Sequence, residues 1–159
     1  MFKDIRIVLI FSVVLLDIIG IGVIFPIIPD LLKEVGIDQT ASAAFWGGLL
    51  SSSYAFMQFV FSPTIGTLSD IFGRRPILLV ASLLLGIDYL LMGFAENILI
   101  LFIGRIIGGL AGGTIATGTA YLADISDTKD KKKNFAIIGA AFGLGFILGP
   151  IIGGVMGEI

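Results

Sequence analysis

The strongest constraint in this sequence is a set of five long segments that carry few charged residues or none. Each reaches the roughly 20 residues that an α-helix needs to cross a bilayer. The 159-residue chain is 57% hydrophobic and 14% charged, and a soluble domain of this length could not bury so much apolar surface. We therefore predict an all-α polytopic membrane protein in direct contact with the lipid bilayer. The predicted spans are Ile7–Pro29, Phe45–Leu68, Pro76–Ala95, Asn97–Leu122 and Asn134–Gly157.

The basic residues outside these spans lie almost entirely on one side of the predicted membrane. Eight basic residues lie before the first span, in the loop between spans two and three, or in the loop between spans four and five. Lys33 is the single basic residue on the other side. The positive-inside rule then places the N-terminus in the cytoplasm. The first span resembles the apolar core of a signal peptide, but it is too long and no small-residue cleavage site follows, so we predict that it is retained. The eight residues are Lys3, Arg6, Arg74, Arg75, Lys129 and Lys131–Lys133.

Three ionisable residues lie inside the predicted spans: Asp17, Asp88 and Arg105. The helical rise places them about 15, 18 and 18 Å from the cytoplasmic surface, so all three meet near the midplane. A charge there is costly and needs a partner or a cavity. One guanidinium can form a structural ion pair with one carboxylate only, which leaves the other to bind a proton or a cationic substrate. We expect Asp88 to be the more exposed of the two.

Residues that weaken a helix follow the first aspartate: Gly20, Gly22, Pro26 and Pro29. Glycine lets helices approach closely, and proline frees a backbone carbonyl and permits a bend. The cluster therefore suggests a mobile span that gates the buried charge. Taken singly, each residue is also ordinary for a membrane helix.

The second span has a polar face at helical spacing. Polar groups stranded in lipid are unfavourable, so this face should turn to the interior of the bundle. Gln58 is on this face and is a candidate for a proton or substrate pathway. The four residues of the face are Ser51, Tyr54, Gln58 and Ser62.

Two short motifs recur at nearly the same offset. "DIIG" at Asp17–Gly20 returns as "RIIG" at Arg105–Gly108, 88 residues later, and "PTIG" at Pro63–Gly66 returns as "PIIG" at Pro150–Gly153, 87 residues later. Span four would then repeat span one, and span five would repeat span two, in opposite orientation. This is the inverted three-plus-three arrangement of secondary transporters. The counterpart of span three would begin near residue 159.

Glycines spaced four residues apart form a stripe along each of the last two spans, and such stripes let helix backbones pack closely. A structural role is the default interpretation. The stripes are Gly104, Gly108 and Gly112 in span four and Gly145, Gly149, Gly153 and Gly157 in span five.

Four ordered motifs resemble those of the major facilitator superfamily, and of its drug/proton antiporters in particular. "LDIIGIGVIFPIIP" is similar to the first-helix motif, and "GTLSDIFGRRP" to the signature loop between helices two and three. "LFIGRIIGG" is similar to the fourth-helix arginine motif, and "GLGFILGPIIGG" to the fifth-helix antiporter motif. "GIDYLLMGF" and "GPIIGGVMGEI" resemble the bacterial tetracycline/proton antiporters. The resemblance covers the whole chain.

The resemblance implies roles for individual residues. Asp17 and Asp88 would be carboxylates needed for transport, and Arg105 would be linked to proton coupling. A further set would form the cytoplasmic gate, namely Gly66, Asp70, Gly73, Arg74 and Arg75. The packing residues of the antiporter motif would be Gly145, Gly149, Pro150, Gly153 and Gly154.

The expected activity is export of a metal–tetracycline cation in exchange for protons, across a bacterial inner membrane. The resemblance implies no enzyme activity, no nucleic-acid partner, no metal site and no cofactor other than a divalent metal carried within the drug complex. The chain has no cysteine and no histidine, which excludes disulfides, thiolate metal sites and histidine proton relays.

The family has twelve spans in two six-helix halves, so residues 1–159 are expected to be a partial N-terminal bundle with five transmembrane helices and with the C-terminal half absent. That half would be a partner if it is encoded separately. The alternative is a truncated, non-transporting membrane protein from a split or decayed gene. Assembly of a small transporter from several copies is disfavoured, because five spans form no complete repeat pair.

Overall fold

The computed structural model describes residues 5–157, and nearly all of them are helical. No strand occurs within this range. Short connections join the helices, and one residue, Gly73, links α2 to α3 at φ +95°, in the left-handed region that favours glycine. The predicted all-helical class is confirmed. The helices are α1 (Ile5–Glu34), α2 (Thr40–Phe72), α3 (Arg74–Gly93), α4 (Ile98–Leu110), α5 (Thr114–Ile125) and α6 (Lys131–Gly157).

Four helical segments are long and apolar enough to cross a membrane. α2 has 33 residues and is long enough, but it falls outside this group because its serines and Gln58 lower its hydropathy. It nevertheless packs within the same bundle, against α4. Lys3, one of the predicted topology residues, lies outside the described residues. The four segments are Ile5–Glu34, Arg74–Gly93, Ile98–Ile125 and Lys131–Val155.

The predicted fourth span is not one continuous helix. It is divided into α4 and α5 by a three-residue turn at 111–113. The carbonyl oxygen of Gly112 accepts a hydrogen bond from Gln58 Nε2 at 2.9 Å. A Cβ at Gly113 would lie only 2.5 Å from Ile65 Cγ2. The break follows from consecutive glycines, which favour helix weakly, and from the hydrogen bond to α2.

The glycines and prolines of α1 do not interrupt it. The helix continues through Pro26 and Pro29 to Glu34. Gly22 is instead a contact with α6, since a Cβ on Gly149 would lie 2.6 Å from Gly22 Cα. Neither proline breaks the helix, so the mobile span that gates the buried charge stays a prediction, and Gly22 serves close helix packing.

The packing of the helices repeats within the bundle. α1 packs most extensively against α6, and α4 packs most extensively against α2. This pattern agrees with the predicted repeat, in which α6 corresponds to α2 and the α4–α5 segment corresponds to α1. α3 packs on α4 and α5, but no described helix takes the equivalent place on α1.

The two larger of the three apolar clusters in the described part of the chain lie toward opposite ends of the bundle. The first joins α1, α5 and α6, and the second joins α1, α2, α3 and α4. Large side chains such as Phe59 and Phe94 lie exposed on the outer surface, as expected of a surface that meets lipid. The buried members are Ile10, Val14, Ile18, Leu122, Ile138 and Ala141 in the first cluster and Ile24, Leu32, Leu50, Met92 and Leu101 in the second.

Candidate functional site: a buried charge layer

A buried ion pair crosses the bundle between α3 and α4. Arg105 Nη2 donates to Asp88 Oδ2, and the two side chains are 6% and 0% exposed. The pair fits because glycines of α4 leave space beneath it. A Cβ at Gly108 would overlap Asp88 Oδ2, and one at Gly104 would lie 3.0 Å from Oδ1. The glycine spacing of "GRIIG" therefore makes room for the partner of its arginine.

Tyr54 holds the guanidinium from the side of α2. Arg105 Cζ lies 5.1 Å from the centroid of the tyrosine ring, within range of a cation–π interaction. The hydroxyl of Tyr54 is buried and has no hydrogen-bond partner among residues 5–157. Arg105 is thus held between an α3 carboxylate and an α2 ring.

Asp17 joins the same layer without an ion-pair partner. Its side chain is buried, and neither oxygen has a hydrogen-bond partner within the described part of the chain. Asp17 lines a cavity together with Tyr89 of α3, the residue that follows Asp88 in the chain. The structure therefore brings the three charges of the sequence together.

The order of exposure of the two carboxylates is the reverse of the expected one. Asp88 is the fully buried one at 0% exposure, and it takes the arginine. Asp17 is 3% exposed and lines a cavity between α1 and α3 with Ser82 and Tyr89. The expectation that Asp88 is the more exposed residue is wrong, because the small residues of α4 let Asp88 sink against that helix.

The polar face of α2 divides between two environments. Tyr54 turns to the charge layer, whereas Gln58 and Ser62 line an open cavity between α2 and α5. Gln58 also holds the turn at 111–113 through Gly112. Ser51 is exposed and donates to the Gly47 carbonyl of its own helix at 2.9 Å. Only part of the face therefore reaches the charge layer.

Arg74 is the centre of a second polar network at the basic end of the bundle. Its Nη2 lies 2.5 Å from Asp70 Oδ1, and its Nε donates to Asp124 Oδ2 at 3.0 Å. Nη1 donates to Ser69 Oγ at 2.6 Å, and that hydroxyl donates to the Gly66 carbonyl at 2.7 Å. The network ties α2 and α3 to the end of α5.

Sequence reasoning missed Ser69 and Asp124 in this network. Asp124 follows span four near a basic loop, and an acid at that position is a signal that could have been read. Two predicted gate residues are not part of the hydrogen-bond network of Arg74. Gly73 forms the linker between α2 and α3, and Arg75 is exposed at a groove between α1 and α3.

The predicted packing residues of α6 mostly face α1. A Cβ at Gly145 would lie 2.6 Å from Ile18 Cγ2, and one at Gly153 would lie 2.5 Å from the Val23 carbonyl oxygen. Pro150 Cδ would lie 3.1 Å from a Cβ on Gly22. Gly154 differs, because the space around it is open. Within residues 5–157, no group of three or more acidic side chains is placed to hold a metal ion.

Comparison with known proteins places this geometry among membrane transporters. The chain is 42% identical to the class H tetracycline resistance protein of Pasteurella multocida over 153 residues. It is 42% identical to the class C protein of Escherichia coli over 152 residues, and 37% identical to quinolone resistance protein NorA of Staphylococcus aureus over 153 residues. Each match covers 96% of this chain and 38% of the relative. The chain thus spans about two fifths of the length of these relatives.

The fold agrees with the sequence matches. The crystal structure of the human organic anion transporter MFSD10 (TETRAN) superimposes with a TM-score of 0.82 at 27% identity, and covers 98% of this chain and 42% of that one. The profile of the Major Facilitator Superfamily matches residues 10–159. The family match and the shared fold show that the chain belongs to the major facilitator superfamily.

Proposed function

We propose that this chain is the N-terminal portion of a proton-coupled drug exporter of the tetracycline type. The substrate would be a metal–tetracycline cation, with the divalent metal as part of the drug complex. The observation that carries the proposal is the charge layer, in which the Asp88–Arg105 pair lies beside a second buried carboxylate. The similarity to tetracycline and quinolone resistance proteins supports drug efflux.

Asp17 is the group best suited to carry the proton. A buried carboxylate without a cation partner is costly when ionised, so it gains a proton or a cationic ligand. Asp88 already has the charge of Arg105 beside it. The Asp88–Arg105 pair has no net charge, so a cation that enters the layer would interact mainly with Asp17. Asp17 would release its proton as it binds the cation, and this exchange of one positive charge for another is what cation/proton antiport requires.

The proposed location is the inner membrane of a bacterium, with the N-terminus in the cytoplasm. The support is the charge asymmetry, because Arg6, Arg74 and Arg75 lie at the same end of the bundle as the three lysines that begin α6. Arg74 and its acceptors would then form the cytoplasmic gate. Exposed ion pairs at such a position can break and re-form as two bundles rock.

Alternating access requires two bundles that rock about a central site. We therefore expect that vesicles with this chain as the only transporter take up no more tetracycline than empty vesicles. Transport should appear when the chain is paired with a partner that supplies the seven further spans of the expected twelve, and the remaining portion of the class H relative is the natural choice.

The test is proton-driven uptake of Mg²⁺–tetracycline into inverted vesicles that hold both portions. Asp17→Asn should retain the Asp88–Arg105 pair and the amount of protein in the membrane, but lose proton-driven uptake. Asp88→Asn should lower uptake and also the amount of protein, because it leaves Arg105 buried and unpaired. Asp38→Asn, a change in an exposed loop, is the control and should leave uptake unchanged.

Normal proton-driven uptake by Asp17→Asn would remove Asp17 from the proton pathway. Vesicles that contain both portions in normal amounts, yet take up no drug, would contradict the proposed function itself. Uptake by this chain alone would show that a second bundle is not required.

A further inference from the structure

A cavity of about 370 Å³ opens at the basic end of the bundle, where α1, α3 and α5 meet. Ile10 and Leu78 form its floor and are only 2% and 5% exposed. Leu9 and Leu79 form its rim and are 49% and 60% exposed. Walls of this kind favour a hydrocarbon chain over water. The cavity therefore suits an apolar chain that enters from the surrounding lipid.

Two arginines line the same cavity, Arg6 from the start of α1 and Arg75 from the start of α3. Both side chains are exposed. Arg75 differs from its neighbour Arg74, because it has no ion-pair partner among residues 5–157. Within the same range, no carboxylate lines the cavity. The described part of the cavity thus has two positive charges and no negative charge.

We infer that this cavity binds one anionic phospholipid of the cytoplasmic leaflet. The lipid phosphate lies between Arg6 and Arg75, and one acyl chain lies against Ile10 and Leu78. Arginine is the side chain best suited to this contact, because its planar guanidinium pairs with two phosphate oxygens at once. Basic cavities between membrane helices on the cytoplasmic side bind anionic lipid headgroups in this way. The inference goes beyond drug export and depends only on the proposed orientation of the chain.

The dimensions of the cavity match a headgroup that continues into an acyl chain. Val13 also lines the cavity and follows Arg6 by seven residues, so the cavity extends about 10 Å along α1 from its charged end toward the bilayer centre. Tyr121 of α5 lines the cavity as well. Tyrosine is enriched at the level of the lipid headgroups, where its ring contacts hydrocarbon and its hydroxyl contacts polar groups. The polar and apolar parts of the cavity therefore follow the order of a phospholipid.

The charges at the cavity determine which class of phospholipid binds. Phosphatidylglycerol carries a net negative charge, whereas phosphatidylcholine and phosphatidylethanolamine add a cationic group to the phosphate. Beside Arg6 and Arg75 that cationic group would be repelled, and no carboxylate of residues 5–157 lines the cavity to receive it. We therefore expect the cavity to prefer anionic lipids to zwitterionic ones.

Native mass spectrometry of the full chain in a non-ionic detergent tests the inference. The probes are phosphatidylglycerol and phosphatidylcholine with identical acyl chains, titrated separately, and the measurement is the fraction of the chain that retains each lipid. The test variants are Arg75→Gln and the double variant Arg6→Gln with Arg75→Gln. Lys132→Gln is the matched control, because Lys132 is an exposed cation at the same end of the bundle but does not line the cavity. All three positions are exposed, so the variants should keep the helical circular dichroism of the parent chain.

The parent chain should bind phosphatidylglycerol more tightly than phosphatidylcholine. Arg75→Gln should weaken phosphatidylglycerol binding about fivefold and the double variant about twenty-five-fold, as expected for one and two basic contacts with an anionic headgroup. Lys132→Gln should weaken it less than about twofold, because salt screens a charge outside the cavity. Retention of phosphatidylcholine should be the same for all of these chains.

A second set of measurements tests the acyl part of the cavity. Val13→Phe keeps both arginines but fills the inner end of the cavity, so it should also weaken phosphatidylglycerol binding. Glycerol phosphate has the phosphate but no acyl chain, so an excess of it should not displace phosphatidylglycerol from the parent chain.

Three results would overturn the inference. Equal retention of the two lipids by the parent chain would mean that the cavity does not recognise the headgroup. Equal losses in Arg75→Gln and Lys132→Gln would mean that phosphatidylglycerol responds to the overall charge of this end of the bundle. Displacement of phosphatidylglycerol by glycerol phosphate would make the cavity a site for a free phosphate ester rather than for a lipid.

Discussion

Gly149→Ala should weaken the contact between α1 and α6, the most extensive helix pair in the bundle. The new Cβ would lie 2.6 Å from Gly22 Cα and 2.8 Å from the Ile19 carbonyl oxygen. The shorter distance is 0.8 Å below the 3.4 Å at which ordinary contact begins. Both atoms are backbone and cannot rotate away, so the two helices must separate locally by about 1 Å, which loses a quarter to a half of the dispersion energy there.

Overpacking of this kind costs about 1–3 kcal/mol, and we expect the upper part of that range because no side chain can yield. The assay is equilibrium unfolding in mixed micelles, titrated with sodium dodecyl sulfate and followed by circular dichroism. Gly154→Ala is the matched control, because it lies in the same helix with nothing within 4 Å of the new Cβ. It should change the free energy of unfolding by less than about 0.5 kcal/mol. An equal effect of the two substitutions would refute the packing argument.

Three further predictions concern other parts of the bundle. Gly108→Ala should displace the carboxylate from the buried ion pair and lower the free energy of unfolding by about 3 kcal/mol in the same titration, whereas Gly143→Ala, in open space, should not. Asp124→Asn should lower it by less than about 1 kcal/mol, because the ion pair it breaks is exposed. In intact cells, cysteine at Thr67 should be shielded from an impermeant thiol reagent and cysteine at Asp38 should be labelled; the reverse pattern would overturn the proposed topology.

The helical class could be predicted because lipid forces long apolar segments to satisfy their backbone hydrogen bonds internally, and four of the five predicted spans coincide with helical segments long and apolar enough to cross a membrane. Ile7–Pro29 and Phe45–Leu68 were placed within α1 and α2, although both helices extend beyond the predicted ends. Helix ends outside the apolar core depend on local hydrogen bonds rather than on hydropathy. The break at 111–113 could not be read from hydropathy either, because it depends on the contact with Gln58.

The composition of the charge layer could be predicted, but the pairing within it could not. Helical rise gives the depth of Asp17 and Asp88, and depth alone treats the two carboxylates alike. The choice of Asp88 as the partner of Arg105 depends on which helix lies beside α4, which is a property of the packed bundle. The Arg74 network shows the same limit, since Asp124 lies 50 residues from Arg74 along the chain.

The repeated motif contains a sequence signal for both the buried charge and the position of its partner. In both copies a glycine stands three residues after the charged residue, as Gly20 after Asp17 and as Gly108 after Arg105. A side chain at either glycine would overlap a polar side chain of α3, namely Tyr89 at Gly20 and Asp88 at Gly108. One helical turn therefore carries a charge and the space for a neighbouring polar group to reach it. A charged residue followed by glycine at this spacing in a membrane helix predicts where a partner enters, although the partner itself is decided by the packing of the bundle.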